Sequence, residues 1–230
     1  MKGSGPKEKG NLDPSLPFSA QVVVERLLDW YGLAGRELPW RQTRDPYRIW
    51  LSEIMLQQTT VAAVEGYYRR FLEHFPHLED LAAAPVEEVI DLWAGLGYYA
   101  RARNLHATAR QLVTDWGGAF PNSVAELQKL PGIGRSTAGA ISALAFDLRA
   151  PILDANVRRI LCRLFALHEP PRSNSADKKL WVWAEVLTPE QQVHDYTQAI
   201  MDLGALICTP QNPRCELCPL ESLCLARYHN

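Results

Sequence analysis

The chain has 230 residues, of which 47% are hydrophobic and 22% charged, and its formal net charge at pH 7 is −2. This composition is typical of a globular protein of one or two domains, and no apolar run is long enough to cross a membrane, which excludes an integral membrane protein. A nucleic-acid partner would need a local basic surface, because the net charge supplies no general attraction to phosphate. The arginine-rich segments 36–48, 98–110 and 158–163 are candidates for such a surface.

The first 19 residues are polar, rich in Gly, Pro and Lys, and contain no signal-peptide core. We therefore predict a flexible leader over residues 1–19 and a soluble protein of the cytoplasm. The cysteines near the C-terminus agree with this location, since free thiolates persist in a reducing compartment.

Helical periodicity dominates the rest of the chain, whereas alternating runs of β-branched residues are scarce, so we predict an all-α fold. Pro, Gly, Asn and Asp residues separate the helical segments. The predicted helices span residues 20–33, 46–60, 61–74, 86–94, 99–115, 123–129, 135–146, 155–167, 176–187 and 192–207.

Glu53 lies in an otherwise apolar stretch, WLSEIML, of the second predicted helix. Its neighbours three positions away, Trp50 and Leu56, predict that the carboxyl group is partly buried. Burial disfavours the charged form of a carboxyl group, so we expect a raised pKa and a proton held near neutral pH. The alternative is a surface glutamate at the edge of an amphipathic helix.

The segment LQKLPGIGRSTAG places Gly132 and Gly134 between two helical patterns. The glycines permit a tight turn in backbone conformations closed to other residues, and they leave N–H groups exposed at the start of the next helix, where a phosphate group is favoured. A plain connector between helices is the alternative. Further along, Asp154 precedes a predicted helix, and we expect it to cap that helix as an ionised group with a lowered pKa.

Four cysteines, Cys208, Cys215, Cys218 and Cys224, follow the pattern C-x6-C-x2-C-x5-C near the C-terminus. Thiolates spaced this closely indicate a metal centre, because several short side chains must reach one group. A [4Fe-4S] cluster and a zinc ion both suit the pattern, with the cluster favoured, and two disulfides are the remaining alternative. The fifth cysteine, Cys162, is expected to be a buried apolar residue and not a ligand.

The motifs together resemble the iron–sulfur branch of the helix–hairpin–helix DNA glycosylases, and within it the MutY adenine glycosylases. The resemblance lies in LPW (38–40), WLSEIMLQQT (50–59), GLGYYARARNLH (95–106), LPGIGRSTAGAI (130–141) and PILDANVRR (151–159). It runs from about Phe18 to Cys224. It implies a six-helix barrel lobe over residues 38–148, a [4Fe-4S] cluster lobe formed by residues 20–37 plus 149–230, and DNA bound in the cleft between the lobes.

The resemblance implies that the N-glycosidic bond of adenine mispaired with 8-oxoguanine or guanine is hydrolysed. Glu53 would protonate adenine N7, Asp154 would stabilise the sugar cation, and Asn156 would join their hydrogen-bond network. Bifunctional relatives resembling endonuclease III carry a lysine where this chain has Ser136. A hydroxyl group cannot form their Schiff base, so we predict a monofunctional enzyme that leaves an abasic site. The family commonly has glycine in place of Ala155.

The resemblance also implies contacts with the duplex, because a paired base must be flipped out before it can react. Gln57 and Gln58 would bind DNA as part of an intercalating segment, in which Gln58 would fill the vacated stack, and Tyr98 would wedge beside the opposite guanine or 8-oxoguanine. Without the resemblance, Tyr98 would be assigned to the core. Arg41 would line the adenine pocket beside Trp40. The other predicted DNA-binding residues are Gly132, Gly134 and Arg158.

A thymine glycosylase that acts on G·T mismatches is the nearest alternative, and a non-catalytic, cluster-bearing DNA-binding module is the third hypothesis. Thymine glycosylases of this branch tend to carry two arginines in place of Gln57–Gln58 and to lack the G-Y-Y element, so adenine is favoured. MutY proteins usually continue into a Nudix-like domain that recognises 8-oxoguanine, whereas this sequence ends shortly after Cys224. We therefore expect 8-oxoguanine recognition to depend on this chain alone, acting on double-stranded DNA as a monomer.

Overall fold

The computed structural model describes residues 17–228, and within this range the chain forms twelve α-helices and no strand. The helices are α1 (Ala20–Ala34), α2 (Pro46–Leu56), α3 (Val61–His74), α4 (Leu78–Ala83), α5 (Val86–Trp93), α6 (Ala100–Trp116), α7 (Val124–Leu127), α8 (Arg135–Phe146), α9 (Ala155–Leu164), α10 (Asn174–Leu187), α11 (Val193–Asp202) and α12 (Leu225–Tyr228). The predicted all-α fold is confirmed. None of these helices combines the length and hydrophobicity needed to cross a membrane.

Most predicted helices form close to their expected positions, and the differences lie at short helices and helix ends. The prediction missed α4 and α12, which are six and four residues long. It extended α2 too far, because Gln58 adopts a φ of +57° and Thr60 already caps α3 by accepting a hydrogen bond from the backbone N–H of Ala63 at 3.4 Å. A right-handed helix does not continue through a residue in the left-handed region.

Almost all of the predicted leader falls on residues 1–16, outside the described range. Phe18, placed at its end by the prediction, stacks on Phe165 with 5.3 Å between the ring centroids. The ordered packing of the chain therefore begins before residue 20.

Two hydrophobic cores organise the described residues. The first lies within residues 38–141 and includes the fully buried side chains of Trp50 and Trp93. The second combines α1 with α9, α10, α11 and the segment that follows them. Ile49 of α2 and Leu144 of α8 pack into the second core, so these two helices stand where the cores meet. The division into two lobes and their boundaries stay a prediction.

Candidate active site

A cavity of about 710 Å³ opens where the two cores meet. It is lined by the four residues predicted to be catalytic, Glu53, Ser136, Asp154 and Asn156. They come from α2, the first turn of α8, the N-cap of α9 and the first turn of α9. Packing of α2 and α8 against the second core thus brings together side chains that lie far apart in the sequence.

Glu53 is half-buried and faces this cavity. Burial raises its pKa from the ordinary carboxyl value to about 7, and the negative charge of Asp154 contributes in the same direction. The positive charge of Arg41 opposes both effects. Glu53 is therefore an acid that holds its proton close to neutral pH, as its apolar sequence neighbours led us to expect.

Asp154 caps α9, as predicted: its Oδ1 accepts a hydrogen bond from the backbone N–H of Val157 at 2.7 Å, and its Oδ2 accepts one from Asn156 Nδ2 at 3.3 Å. The predicted direction of its pKa was wrong. Burial raises the pKa of Asp154, although these hydrogen bonds and the charge of Arg159 act to lower it. The Asp154 charge is one cause of the raised Glu53 pKa, so ionisation of one carboxyl group disfavours ionisation of the other.

Ser136 holds the backbone that leads to Asp154. Its hydroxyl oxygen accepts a hydrogen bond from the backbone N–H of Leu153 at 2.9 Å. Gly139, one turn along α8, lets the same backbone segment lie close to the helix, because a Cβ there would overlap the carbonyl oxygen of Pro151. Sequence reasoning missed Gly139. A glycine inside a helix lowers the stability of the helix by about 0.5–1 kcal/mol relative to alanine. Its presence there therefore indicates that another segment packs closely against the helix.

Arg159 was also missed as a residue that positions the site. Its Nη2 donates hydrogen bonds at 2.7 Å to Asn156 Oδ1 and to the carbonyl oxygen of Gly204. Its Nε donates to the carbonyl oxygen of Cys208 at 2.6 Å. Arg159 thus connects the turn at Asn156 to the cysteine segment instead of extending into solvent.

Gln58 and Tyr98, the predicted contacts with the duplex, share an unusual backbone conformation. Their φ angles are +57° and +51°, and 59% of the Tyr98 surface is exposed, so the assignment of this tyrosine to the core does not hold. Gln58 lies between Gln57 and Thr59, both of which line the cavity. The Gln57 Nε2 donates to Thr137 Oγ1 at 3.3 Å, so this glutamine is turned towards α8.

Arg41 and Arg158, both predicted to bind DNA, have partners within the protein. The two terminal nitrogens of Arg41 donate to the carboxylate of Asp202 at 2.6 Å each, and Asp202 is completely buried. Arg158 donates to Asp177 at 2.5 Å and to the carbonyl oxygen of Pro171 at 2.9 Å. Arg41 lines the cavity as predicted, but a phosphate group would have to compete for either guanidinium.

In the hairpin, the two glycines have different roles. Gly132 has a φ of +76°, and a Cβ there would lie 2.9 Å from Asn104 Cβ, so this position requires glycine. Gly134 has a φ of −83° and an open environment, so the predicted need for glycine does not extend to it. It is the N-cap of α8 and offers no capping side chain. The first N–H groups of α8 are therefore available to an external acceptor.

Cys208, Cys215, Cys218 and Cys224 line one small cavity of about 40 Å³. They are free thiols, which contradicts the disulfide alternative. Burial raises the pKa of the Cys218 thiol to about 11, and the neighbouring thiols add to this effect. Among the described residues, no three His, Cys, Asp or Glu side chains are arranged to hold a single ion. Four thiols around one shared cavity suit the [4Fe-4S] cluster expected from their spacing.

Cys162 provides a control for this assignment, because it packs against the second core and does not line the cysteine cavity. We expect the purified protein to absorb at about 400 nm through iron–sulfur charge transfer. Cys218→Ser should lower this absorbance and the iron content, whereas Cys162→Ser should leave both unchanged. Equal iron loss in the two variants would contradict the assignment of ligands.

Comparison with known proteins agrees with this geometry. Residues 51–185 match the family model of the HhH-GPD superfamily base excision DNA repair proteins, and residues 208–224 match that of the iron–sulfur binding domain of endonuclease III. An adenine DNA glycosylase of Buchnera aphidicola (subspecies Baizongia pistaciae) is 45% identical over 210 residues, which are 91% of this chain and 59% of that protein. The adenine DNA glycosylase of Homo sapiens is 47% identical over 219 residues, and 40% of its length is covered.

Solved structures show the same fold over nearly the whole chain. A thermostable thymine-DNA glycosylase superposes with a TM-score of 0.83 at 34% identity, covering 92% of this chain and 97% of that one. Endonuclease III in a non-covalent complex with DNA gives a TM-score of 0.75 at 25% identity, covering 92% and 98%. The chain belongs to the HhH-GPD superfamily of base excision DNA repair proteins and carries the iron–sulfur binding segment of endonuclease III at its four C-terminal cysteines.

Proposed function

We propose that the chain is a monofunctional DNA glycosylase that removes adenine mispaired with 8-oxoguanine or guanine. The observation that supports this most directly is the pair formed by Glu53, with a pKa of about 7, and Asp154 in one cavity. Hydrolysis of a glycosidic bond needs an acid that keeps its proton and a second carboxyl group that carries a negative charge beside the sugar, which is the role proposed for Asp154. Identities of 45% and 47% to proteins named adenine DNA glycosylase favour adenine as the base.

In the proposed reaction, Glu53 donates its proton to N7 of the flipped adenine. The C1′–N9 bond then breaks with its electron pair leaving on the base, so adenine departs as a neutral molecule. The ionised Asp154 stabilises the positive charge that develops on the sugar. A water molecule adds to C1′ and returns a proton to Glu53, which restores the acid for the next turnover.

Base extrusion in this proposal depends on Gln58 and Tyr98, whose strained and exposed positions suit residues that enter the duplex. The N-terminus of α8 would bind the DNA backbone, because its uncapped N–H groups favour a phosphate oxygen. Likeness to a structure of endonuclease III bound to DNA supports a duplex partner. The proposed substrate is double-stranded DNA with A·8-oxoguanine or A·G mispairs, bound by a monomer.

The cysteine cavity would hold a [4Fe-4S] cluster on Cys208, Cys215, Cys218 and Cys224. When bound, the cluster joins four thiolates into one structural unit. Arg163 supports the same segment, since its Nη1 donates to Cys208 Sγ at 3.3 Å and to the carbonyl oxygen of Thr209 at 2.7 Å. A centre built on thiolates leads us to propose a cytoplasmic, reducing location.

A single-turnover assay on A·8-oxoguanine, A·G and T·G duplexes, with and without alkali, tests this function. We expect release of adenine from the first two duplexes and strand breaks only after alkali, because Ser136 cannot form a Schiff base. A thymine glycosylase is the second candidate, favoured by the 0.83 TM-score to such an enzyme. Thymine release exceeding adenine release would select it, and no product with enzyme in excess would indicate a binding module.

A further inference from the structure

The guanidinium of Arg101 lies between the loop that carries Gln58 and the loop that carries Tyr98. Only 7% of the residue is exposed. On one side, its Nη1 donates hydrogen bonds to the carbonyl oxygens of Met55 at 2.9 Å and of Gln57 at 2.5 Å. These carbonyls lie at the end of α2 and immediately before Gln58, so this nitrogen holds the 57–59 loop.

The other terminal nitrogen of Arg101 reaches the second loop. Its Nη2 donates to the carbonyl oxygens of Leu96 and Gly97 and to Thr59 Oγ1, each at 3.2 Å. The guanidinium carbon also lies 5.5 Å from the centre of the Tyr98 ring. One planar group therefore contacts both loops at once.

These contacts are made by a buried cation whose partners are not carboxylates. Burial lowers the pKa of Arg101, and no salt bridge among the described residues includes it. Hydrogen bonds to these carbonyl oxygens offset part of the cost of removing the charge from water, and the carbonyl oxygens of Gln57 and Gly97 also accept from Thr59 Oγ1 and Trp93 Nε1. The same carbonyls flank Gln58 and Tyr98, whose positive φ angles are unfavourable for residues other than glycine and persist only where the surroundings enforce them.

We propose that Arg101 is a positioning residue that fixes the 57–59 loop against the 96–98 loop, so that Gln58 and Tyr98 enter the duplex as one unit. The proposal rests on the proposed function for the role of base extrusion, while the link between the loops rests on the geometry alone. Arginine is required because its planar fork directs donors to both sides, whereas the ammonium group of a lysine acts as a point charge with three donors.

A double-mutant cycle tests this coupling in the wild-type and Arg101→Lys backgrounds. The probe is a duplex with 2-aminopurine opposite guanine, which reports affinity by anisotropy and extrusion by its own fluorescence. We expect Gln58→Ala and Tyr98→Ala to be coupled in the wild-type background. The affinity loss of the double variant should be smaller, by a factor of at least about five, than the product of the losses of the two single variants. In the Arg101→Lys background the two losses should multiply to within about twofold.

Leu112→Val serves as the control, because Leu112 is fully buried on α6, the helix that also carries Arg101. The Leu112 side chain makes none of the hydrogen bonds that join the two loops. It should lower the melting temperature and leave the coupling intact. Should Arg101→Lys not yield folded protein, Thr59→Val takes its place, since it removes one acceptor of Nη2 and should reduce the coupling partly.

Additive losses in the wild-type background, or equal coupling in both backgrounds, would overturn the proposal. Failure of the proposed function shows in a different measurement, the release of adenine by the wild-type chain. If adenine is not released but the coupling depends on Arg101, the loop link stands without the proposed chemistry.

Discussion

Glu53→Gln is expected to lower the single-turnover rate of adenine release by roughly 10³-fold, with DNA affinity nearly unchanged. The amide keeps the shape of the side chain but has no proton to give to N7, so the base must leave as an anion. Glu65→Gln is the matched control: this glutamate lies on α3, paired with Arg69 on the surface, and the substitution should leave the rate unchanged. A Glu53→Gln variant with the full rate would refute the assignment of the acid.

The pH dependence of the wild-type rate checks the same assignment independently. Glu53 acts in its protonated form, and burial raises its pKa to about 7, so the rate should be flat below this value and fall tenfold per pH unit above it. The fall should be absent from the residual activity of Glu53→Gln. At the acid end, the rate should decline as Asp154 takes up a proton.

The stability of Glu53→Gln separates lost chemistry from lost structure. The folded-state pKa of Glu53 lies above its unfolded value, so the folded protein binds the extra proton and the wild type loses stability as the pH rises from the ordinary carboxyl range to about 7. Removing this carboxylate should raise the free energy of unfolding at pH 8 by about 2 kcal/mol. This is less than the full pKa shift implies, because water screens the charge of a half-buried group. Thermal unfolding at pH 5 and pH 8 measures the difference, and a less stable variant at pH 8 would contradict the burial argument.

Asp154→Asn is expected to lower the excision rate by about 10³-fold, because the developing sugar cation loses the negative charge placed beside it. Asparagine is also a good N-cap, and its Oδ1 can keep the hydrogen bond from the backbone N–H of Val157. The free energy of unfolding should therefore change by less than about 1 kcal/mol. Single-turnover rates and urea unfolding measure the two effects.

The matched control for Asp154→Asn is Asp45→Asn. Asp45 caps α2 in the same way, with Oδ1 accepting from the backbone N–H of Tyr47 at 2.9 Å, but it does not line the active-site cavity. This substitution should leave the rate unchanged. Equal rate losses in the two variants would show that helix capping, and not the charge beside the sugar, explains the effect of Asp154→Asn.

Several features of the site could be predicted from the sequence because they depend on local patterns. The apolar neighbours of Glu53 predicted the raised pKa, and the position of Asp154 before a helical pattern predicted its capping role. The spacing of the C-terminal cysteines predicted one shared metal centre. In each case the signal lies within a few residues, where helix periodicity and short loops limit the arrangements that the chain can adopt.

Other features could not be predicted because they depend on segments that meet only after folding. The raised pKa of Asp154 results from burial between the two cores, which outweighs the hydrogen bonds that the local sequence implied. The arginines looked like a basic surface, yet Arg41 is paired with Asp202, a partner 161 positions away. An arginine in a sequence shows that a charge is present but does not show whether phosphate or the protein itself neutralises it.

The sequence by itself therefore determined the helical class, the cysteine centre, the raised pKa of Glu53 and the capping role of Asp154, since each follows from local periodicity or spacing. The tertiary structure alone decided which charges face the cavity, how Ser136 and Gly139 hold the turn before Asp154, and how Arg101 joins two loops. The physical reason is that burial and hydrogen-bond partners depend on contacts between distant segments, and these contacts set the pKa values and backbone conformations on which the proposed chemistry depends.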